Sequence, residues 1–197
     1  MTRLFIAISV LLVGAMSVPP QVAPPAMGAP TWAQTADVMI PLVARWEGTG
    51  PTVPCGESAE GICARAYLDT IAEPDVWTVC YGDTDGVIPN ELRPIEDCRV
   101  QLGRNLRRYR DGLHRYFSEE TVAGRLTPER DAAYSSLAYN AGIAGIGRST
   151  ATRRLNAGDI RGGCIAIGWW NRAGGRVIRG LVNRRADEVA LCMEGLV

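Results

Sequence analysis

Lysine is absent from this sequence, and histidine occurs once, at His114. A zinc site finds little support: the six cysteines form no CxxC pair to stand beside that one imidazole. No GxSxG occurs either, and His114 lies in a charged segment, which leaves a serine or cysteine nucleophile without an obvious base. Long apolar runs are also missing, since the stretch from Leu4 to Val13 falls short of the roughly 20 residues that a membrane-spanning helix needs. Net charge is zero, with 21 cations against 21 anions, so the total calls for no nucleic acid or other polyelectrolyte. No internal repeat divides the chain.

What is present is arginine, placed late. Arg99 to Arg115 holds six arginines against Asp111, and Arg148 to Arg185 holds nine against Asp159, whereas the opening stretch is acidic. Most read as solvated helix faces, and a minority suit a cleft for an anionic polymer. An apolar share of 47% over 197 residues is enough for one sizeable core, so the expectation is a single globular domain. The cysteines, Cys55, Cys63, Cys80, Cys98, Cys164 and Cys192, then read as disulfides formed in an oxidising compartment. Many connectivities are open. Proximity along the chain favours Cys55 with Cys63 and Cys80 with Cys98, and two late helices would be joined by Cys164 with Cys192.

The N-terminus agrees with export. MTRLFIAISVLLVGAMSVPP has one Arg, an apolar run, then small residues and paired prolines, with cleavage expected after Ala15-Met16-Ser17 or after Ala29. Extending the apolar run through Gly14 to Val18 gives a weak signal anchor as the alternative. Residues 1–30 are thus a signal peptide or anchor followed by a proline-rich linker, and residues 31–197 the folded domain.

Within that domain, Thr35 is expected to cap a helix running to about Trp46, with Val38, Leu42 and Trp46 on one face and Pro41 as a kink or restart. Gly, Pro and Thr enrichment through Gly61 predicts a loop that Cys55 and Cys63 would close. The β-branched and aromatic VWTVCYG, Val76 to Gly82, with turn residues Asp83 to Gly86, predicts a short hairpin. Beyond Pro94 the pattern is helical. Thr127-Pro128-Glu129 is a strong helix start, Ser149-Thr150 opens another helix that stops near Asn156-Ala157-Gly158, and two more follow around Ile160 to Trp170 and Leu181 to Met193.

Trp46-Glu47-Gly48 places an acid at the negative end of the first helix, which the helix dipole opposes. Three blocks in order then carry a resemblance. WEG, AYLD and VWTVCYGDT form the first, SLAYNAGIAGIGRSTATRRLNAGD the second, and WWNRAGGRVIRGLVNRRADEVALC the third. Together they span nearly everything after Thr35, and the chain resembles the phage-type lysozymes of glycoside hydrolase family 24, the muramidase endolysins.

The resemblance implies an α+β lysozyme-like fold, mostly helical, with a small N-terminal β-hairpin region and a cleft between two lobes. It implies Glu47 as general acid, Asp69 as the carboxylate that activates or positions water, and Thr78 as the residue that orients that water. Asn140 corresponds to a polar cleft residue, and Trp169 or Trp170 to aromatic packing near the cleft wall. The chemistry fits independently, because glycoside hydrolysis uses one protonated and one ionised carboxyl in different environments.

Both gaps between these three residues are longer than the family commonly has, and in the second gap Glu73 and Asp75 compete with Asp69. Asp83 stands where many relatives have histidine, which bears on an ion pair. The expected reaction is cleavage of the β-1,4 bond between N-acetylmuramic acid and N-acetylglucosamine in bacterial peptidoglycan, probed against the alternative of a peptidoglycan-binding protein that has lost catalysis. Expected with it are no metal or cofactor, no nucleic-acid partner, a monomer, location in the periplasm or outside the cell, and transient inner-membrane contact through the N-terminus.

Overall fold

The computed structural model describes residues 28–56, 61–70 and 74–196. The leader and anchor readings before Gly28, and Glu73, lie outside the described residues.

Helix α1, Trp32–Glu47, starts four residues earlier than Thr35 would allow. Its cap is Thr31, whose side chain accepts from the Gln34 amide while Gln34 accepts from the Thr31 backbone, a reciprocal capping box. Thr35 is instead fully buried and donates to Asp131 at 2.7 Å. The buried stripe is Thr35, Met39 and Val43, one residue round the helix from the stripe ending at Trp46. Pro41 sits on an exposed turn, and the helix runs through it rather than restarting.

Two small antiparallel sheets follow. Strands β1 (Thr52–Pro54), β2 (Ile62–Arg65) and β5 (Leu92–Pro94) form one, in the order β1-β2-β5. Strands β3 (Tyr67–Asp69) and β4 (Val76–Thr78) form the other. The expected hairpin is therefore real but has its partner upstream: β4 pairs back onto the AYLD segment, and the Asp83 turn closes only a bridge from Val79. The segment expected as plain loop before Gly61 contains β1. Strands of three residues carry too little alternation to be read from sequence.

The rest is helical: α2 (Ile95–His114), α3 (Glu119–Gly124), α4 (Pro128–Ala141), α5 (Ile143–Gly147), α6 (Thr150–Asn156), α7 (Ile160–Ile167) and α8 (Arg179–Cys192). Thr127 caps α4 and Ser149 caps α6, as their sequences predict. A two-residue turn at Gly174-Gly175, φ +53° and +76°, joins the short strands β6 (Arg172–Ala173) and β7 (Arg176–Val177) ahead of α8.

Two apolar cores define two lobes. One gathers Met39, Val43, Ala64, Val79, Leu102 and Leu106, and the other Leu113, Phe117, Leu137, Ile146, Leu155 and Ile167. Helix α2 contributes to both, and so does α4 through Ala132 and Ala133, which ties the lobes together. The α4 segment from Arg130 to Ala138 is buried on every side, so it is a central helix packed by neighbours all round. Disulfides Cys55–Cys63, Cys80–Cys98 and Cys164–Cys192 are the three expected pairs. The second joins the β region to α2, and the third joins α7 to α8.

Candidate active site

Glu47 is the last residue of α1, and Gly48 ends the helix with φ +68° while its amide bonds Ala44. The chain turns again at Gly50, φ +71°, where the ring of Tyr67 lies so close that a Cβ would meet its Cε1 at 2.8 Å. Only glycine fits both the backbone angle and the contact. The loop leaving Glu47 is thereby seated on β3, the strand that ends at Asp69.

The register of that hairpin places the other two predicted residues. Tyr67 pairs with Thr78, and Asp69 pairs with Val76. Side chains two apart on a strand share a face, and directly paired residues share it too, so Asp69 and Thr78 are diagonal neighbours on one face. Thr78 is 3% exposed, and its hydroxyl is 3.4 Å from the Val76 carbonyl. Asp69 is half-buried. Asp75, the rival acid, is exposed before β4.

Behind Glu47 lies a charged network that the sequence reading did not assign. Arg184 on α8 donates from Nη1 to Glu47 at 2.7 Å and from Nε to Glu188 at 3.3 Å. Arg185 lies 2.9 Å from the other oxygen of Glu188 and donates to the Asn140 side-chain oxygen at 3.0 Å. Ser136 on α4 donates to Glu188 at 2.7 Å. Burial pushes the Glu188 carboxyl up from its ordinary value, against the two arginines and Ser136, and burial likewise lowers the Arg185 guanidinium. Tyr139, next to Asn140, has its hydroxyl pushed up to about 12 by burial and then by the negative charge of Glu47.

The paired arginines followed by an acid at positions three and four along a helix were visible in NRRADE as an ion-pair spacing. Nothing local shows that this face is buried. Asn140 thus joins Glu47 through Arg185, Glu188 and Arg184, whereas none of these contacts involves Trp169. That residue is 54% exposed at the end of α7, with the Arg154 guanidinium 5.3 Å from its ring centroid. Trp170 packs against the helical core instead. Asp83 is paired with Arg93 at 2.5 Å, and Arg93 also holds Glu91, so the ion pair on which the Asp83 departure was expected to bear is an acid–arginine one. Among the described residues, no group of three or more His, Cys, Asp or Glu could hold a metal ion.

The geometry offers a carboxyl held by arginine at a helix end, whose outgoing loop packs on a hairpin that carries a second carboxylate and a hydroxyl. Comparison with known proteins bears on the family and the fold. The family model described as phage lysozyme matches residues 57–188, a range that begins after Glu47. The chain is 32% identical to the SAR-endolysin of Enterobacteria phage P21 over 151 residues, 75% of this chain and 84% of that protein. It is 34% identical to the SAR-endolysin of Escherichia phage 933W over 152 residues, 71% of this chain and 81% of that protein. Among solved structures, the endolysin from Escherichia coli O157:H7 phage FAHEc1 superposes with a TM-score of 0.62 at 22% identity, covering 83% of this chain and 92% of that one. The active form of the P1 phage endolysin Lyz gives 0.61 at 18% identity, covering 86% and 97%. The chain belongs to the phage lysozyme family and is a glycosidase of the lysozyme type.

Proposed function

We propose that Glu47 is the general acid of a muramidase that cleaves the β-1,4 bond between N-acetylmuramic acid and N-acetylglucosamine. The observation that carries the reading is the seating of the Glu47 loop, through Gly50, on Tyr67 of the hairpin whose register sets Asp69 beside Thr78. A proton passes from Glu47 to the glycosidic oxygen as the bond to carbon breaks, and positive charge develops on the sugar ring. Asp69 stabilises that charge and takes a proton from the attacking water, which Thr78 orients. Arg184 fixes the direction of the Glu47 carboxyl, because a charge-assisted hydrogen bond is short and directional. Asn140, held by Arg185, faces the glycan from α4, and Trp169 supplies an aromatic surface farther along the cleft.

The enzyme works on peptidoglycan outside the inner membrane, as a monomer, after export through its N-terminal segment. Among the described residues no helix is long and apolar enough to cross a membrane; the transient inner-membrane contact we propose is assigned to the N-terminal segment. Incubation with purified peptidoglycan, followed by identification of the new reducing end, tests the reading: N-acetylmuramic acid at that end supports it, and N-acetylglucosamine there overturns it.

A further inference from the structure

An arginine 2.7 Å from a general acid presents a physical conflict. A neighbouring positive charge favours the ionised carboxyl, whereas Glu47 must hold a proton to give to the leaving oxygen. Arg184 is 5% exposed and Arg185 behind it 1%, so both charges are screened much less than they would be at the surface. For Glu47 to keep its proton, the fold has to offset them.

Glu188 is placed to do so. Its side chain is fully buried, and among the described residues each hydrogen-bonding partner of its oxygens is a donor. Oε1 accepts from Ser136 at 2.7 Å, from Nη2 of Arg185 at 3.2 Å and from Nε of Arg184 at 3.3 Å, while Oε2 lies 2.9 Å from Nε of Arg185. Such surroundings suit a carboxylate rather than an acid with a proton to donate. Two guanidinium groups and one carboxylate leave a single positive charge behind Glu47, where without Glu188 there would be two.

The other groups around the network leave that count unchanged. Asp187 on α8 is paired with Arg45 of α1 on the exposed rim, and Asp83 is paired with Arg93. From α4 come Ser136, Tyr139 and Asn140, of which only Tyr139 titrates, and its hydroxyl is pushed up to about 12. Glu188 also fixes direction. The guanidinium is planar, so gripping Nε of Arg184 determines where Nη1 points, and Nη1 is the atom that meets Glu47.

We propose that Glu188 is a positioning residue for glycosidic cleavage, holding Arg184 in line with Glu47 and cancelling one of the two arginine charges behind it, so that Glu47 keeps its proton at the pH where the enzyme works. This role rests on Glu47 being the general acid of the muramidase and extends it.

The test is the pH profile of kcat/KM for reducing-end release from peptidoglycan, recorded beside the melting temperature for the full-length enzyme, Glu188→Gln, Arg185→Gln and the double variant. The alkaline limb of that profile reports loss of the proton from the essential acid. Glu188→Gln keeps the shape and removes the negative charge, so the limb should move to lower pH by about one unit. Above both limbs kcat/KM should then fall about tenfold, with KM within about twofold, and below both it should match the wild type. Arg185→Gln removes a positive charge instead and should move the limb to higher pH, and the double variant should bring it back close to the wild-type position. Opposite shifts separate charge from packing, because both substitutions remove buried contacts and both should lower the melting temperature. Should Glu188→Gln fail to fold, the double variant is read against Arg185→Gln alone, and its limb should again lie about one unit lower. A limb that stays in place when Glu188 is neutralised, or a loss of activity equal at every pH, would overturn the role of Glu188 while leaving the muramidase assignment standing. Failure of the wild-type enzyme to release reducing ends would overturn both.

Discussion

Nη1 of Arg184 lies 2.7 Å from Oε1 of Glu47, although 137 residues separate them in sequence. The contact ties the end of the first helix to the last, so the acid's position depends on packing between the two ends of the domain. Glu188 grips the same guanidinium from behind, and Ser136 and Arg185 grip Glu188 in turn. Glu47 is thus the exposed tip of a buried ionic chain, with its side chain 26% accessible while that of Arg184 is 5%.

Glu47→Gln should abolish turnover and leave the fold intact. The amide keeps an oxygen for Arg184 but has no proton to give to the leaving oxygen, and general acid catalysis is worth roughly 100- to 10,000-fold in rate. Reducing-end release measured beside the melting temperature checks this. Turnover near that of the wild type in a folded variant would remove Glu47 from the mechanism.

A second buried carboxylate governs stability instead. Asp131 accepts from Thr35 at 2.7 Å and Arg110 at 2.5 Å and bonds His114 at 2.7 Å, joining α1, α2 and α4. Burial alone would raise its pKa, but the His114 hydrogen bond, the charges of His114 and Arg110 and the Thr35 hydroxyl together hold it below the ordinary 3.8. A carboxyl depressed in the folded state contributes stability that is present above its unfolded pKa and is lost as pH falls through the folded one. Melting temperature should therefore decline below about pH 4. In Asp131→Asn that part of the acid decline should be missing, and stability at neutral pH should be lower by about 3 kcal/mol, or on the order of 10 °C.

Gly50→Ala probes the link between the two halves of the site. The substitution meets a positive φ and the Tyr67 ring at once, whereas Gly86→Ala meets a similar φ, +65° against +71°, with nothing within 4 Å. Both should cost about 1 kcal/mol through the backbone. Only Gly50→Ala should also reduce kcat, by pushing the Glu47 loop off the strand that holds Asp69. Equal kcat values for the two variants would show that the loop's seat does not position the acid.

How much of this was legible depends on range. Thr127-Pro128-Glu129 and Ser149 announce their helices because capping is settled within four residues. Thr31 and Thr35 are both threonines near one helix start, and only the contact with Asp131, 96 residues away, shows that Thr35 faces inward and leaves the cap to Thr31. The Gly174-Gly175 turn is local too, because paired glycines supply the two positive φ values that a two-residue hairpin needs. For the site, Glu47, Asp69 and Thr78 stood out through their motif context. Arg184, Glu188 and Tyr139 did not, because an arginine pair on an amphipathic helix looks solvated until the neighbours that bury it are placed.

The oxidised frame gives a prediction about export. All six cysteines are paired, and the described fold begins at the Thr31 capping box. Intact-mass measurement of protein recovered from the periplasm should show a chain shortened to near Thr31 and lacking six hydrogens for three disulfides. Reduction should lower stability, since a bridge of this kind contributes on the order of 2–4 kcal/mol. A full-length, membrane-held form would establish the anchor instead of cleavage.

Stereochemistry separates two mechanisms that the same residues could serve. In a double displacement the second carboxylate attacks the sugar carbon itself, which requires the two carboxyl groups to stand about 5 Å apart. A single displacement leaves roughly 6.5–9.5 Å so that a water fits between carboxylate and sugar. Thr78 is the discriminating residue. It shares a face of the β3–β4 hairpin with Asp69, in the diagonal position, and it is buried. Its hydroxyl donates to the Val76 carbonyl at the long distance of 3.4 Å, and its oxygen keeps accepting capacity for a water beside Asp69. A residue that holds water next to the carboxylate is useful when water attacks and is in the way when the carboxylate does. The expected product is the inverted α-anomer, and Thr78→Val should lower kcat about tenfold or more by losing the hydroxyl while keeping the shape. NMR spectra recorded in the first minutes of glycan cleavage decide the point. β-Anomer appearing first, or a sugar ester trapped on Asp69, would establish the double displacement.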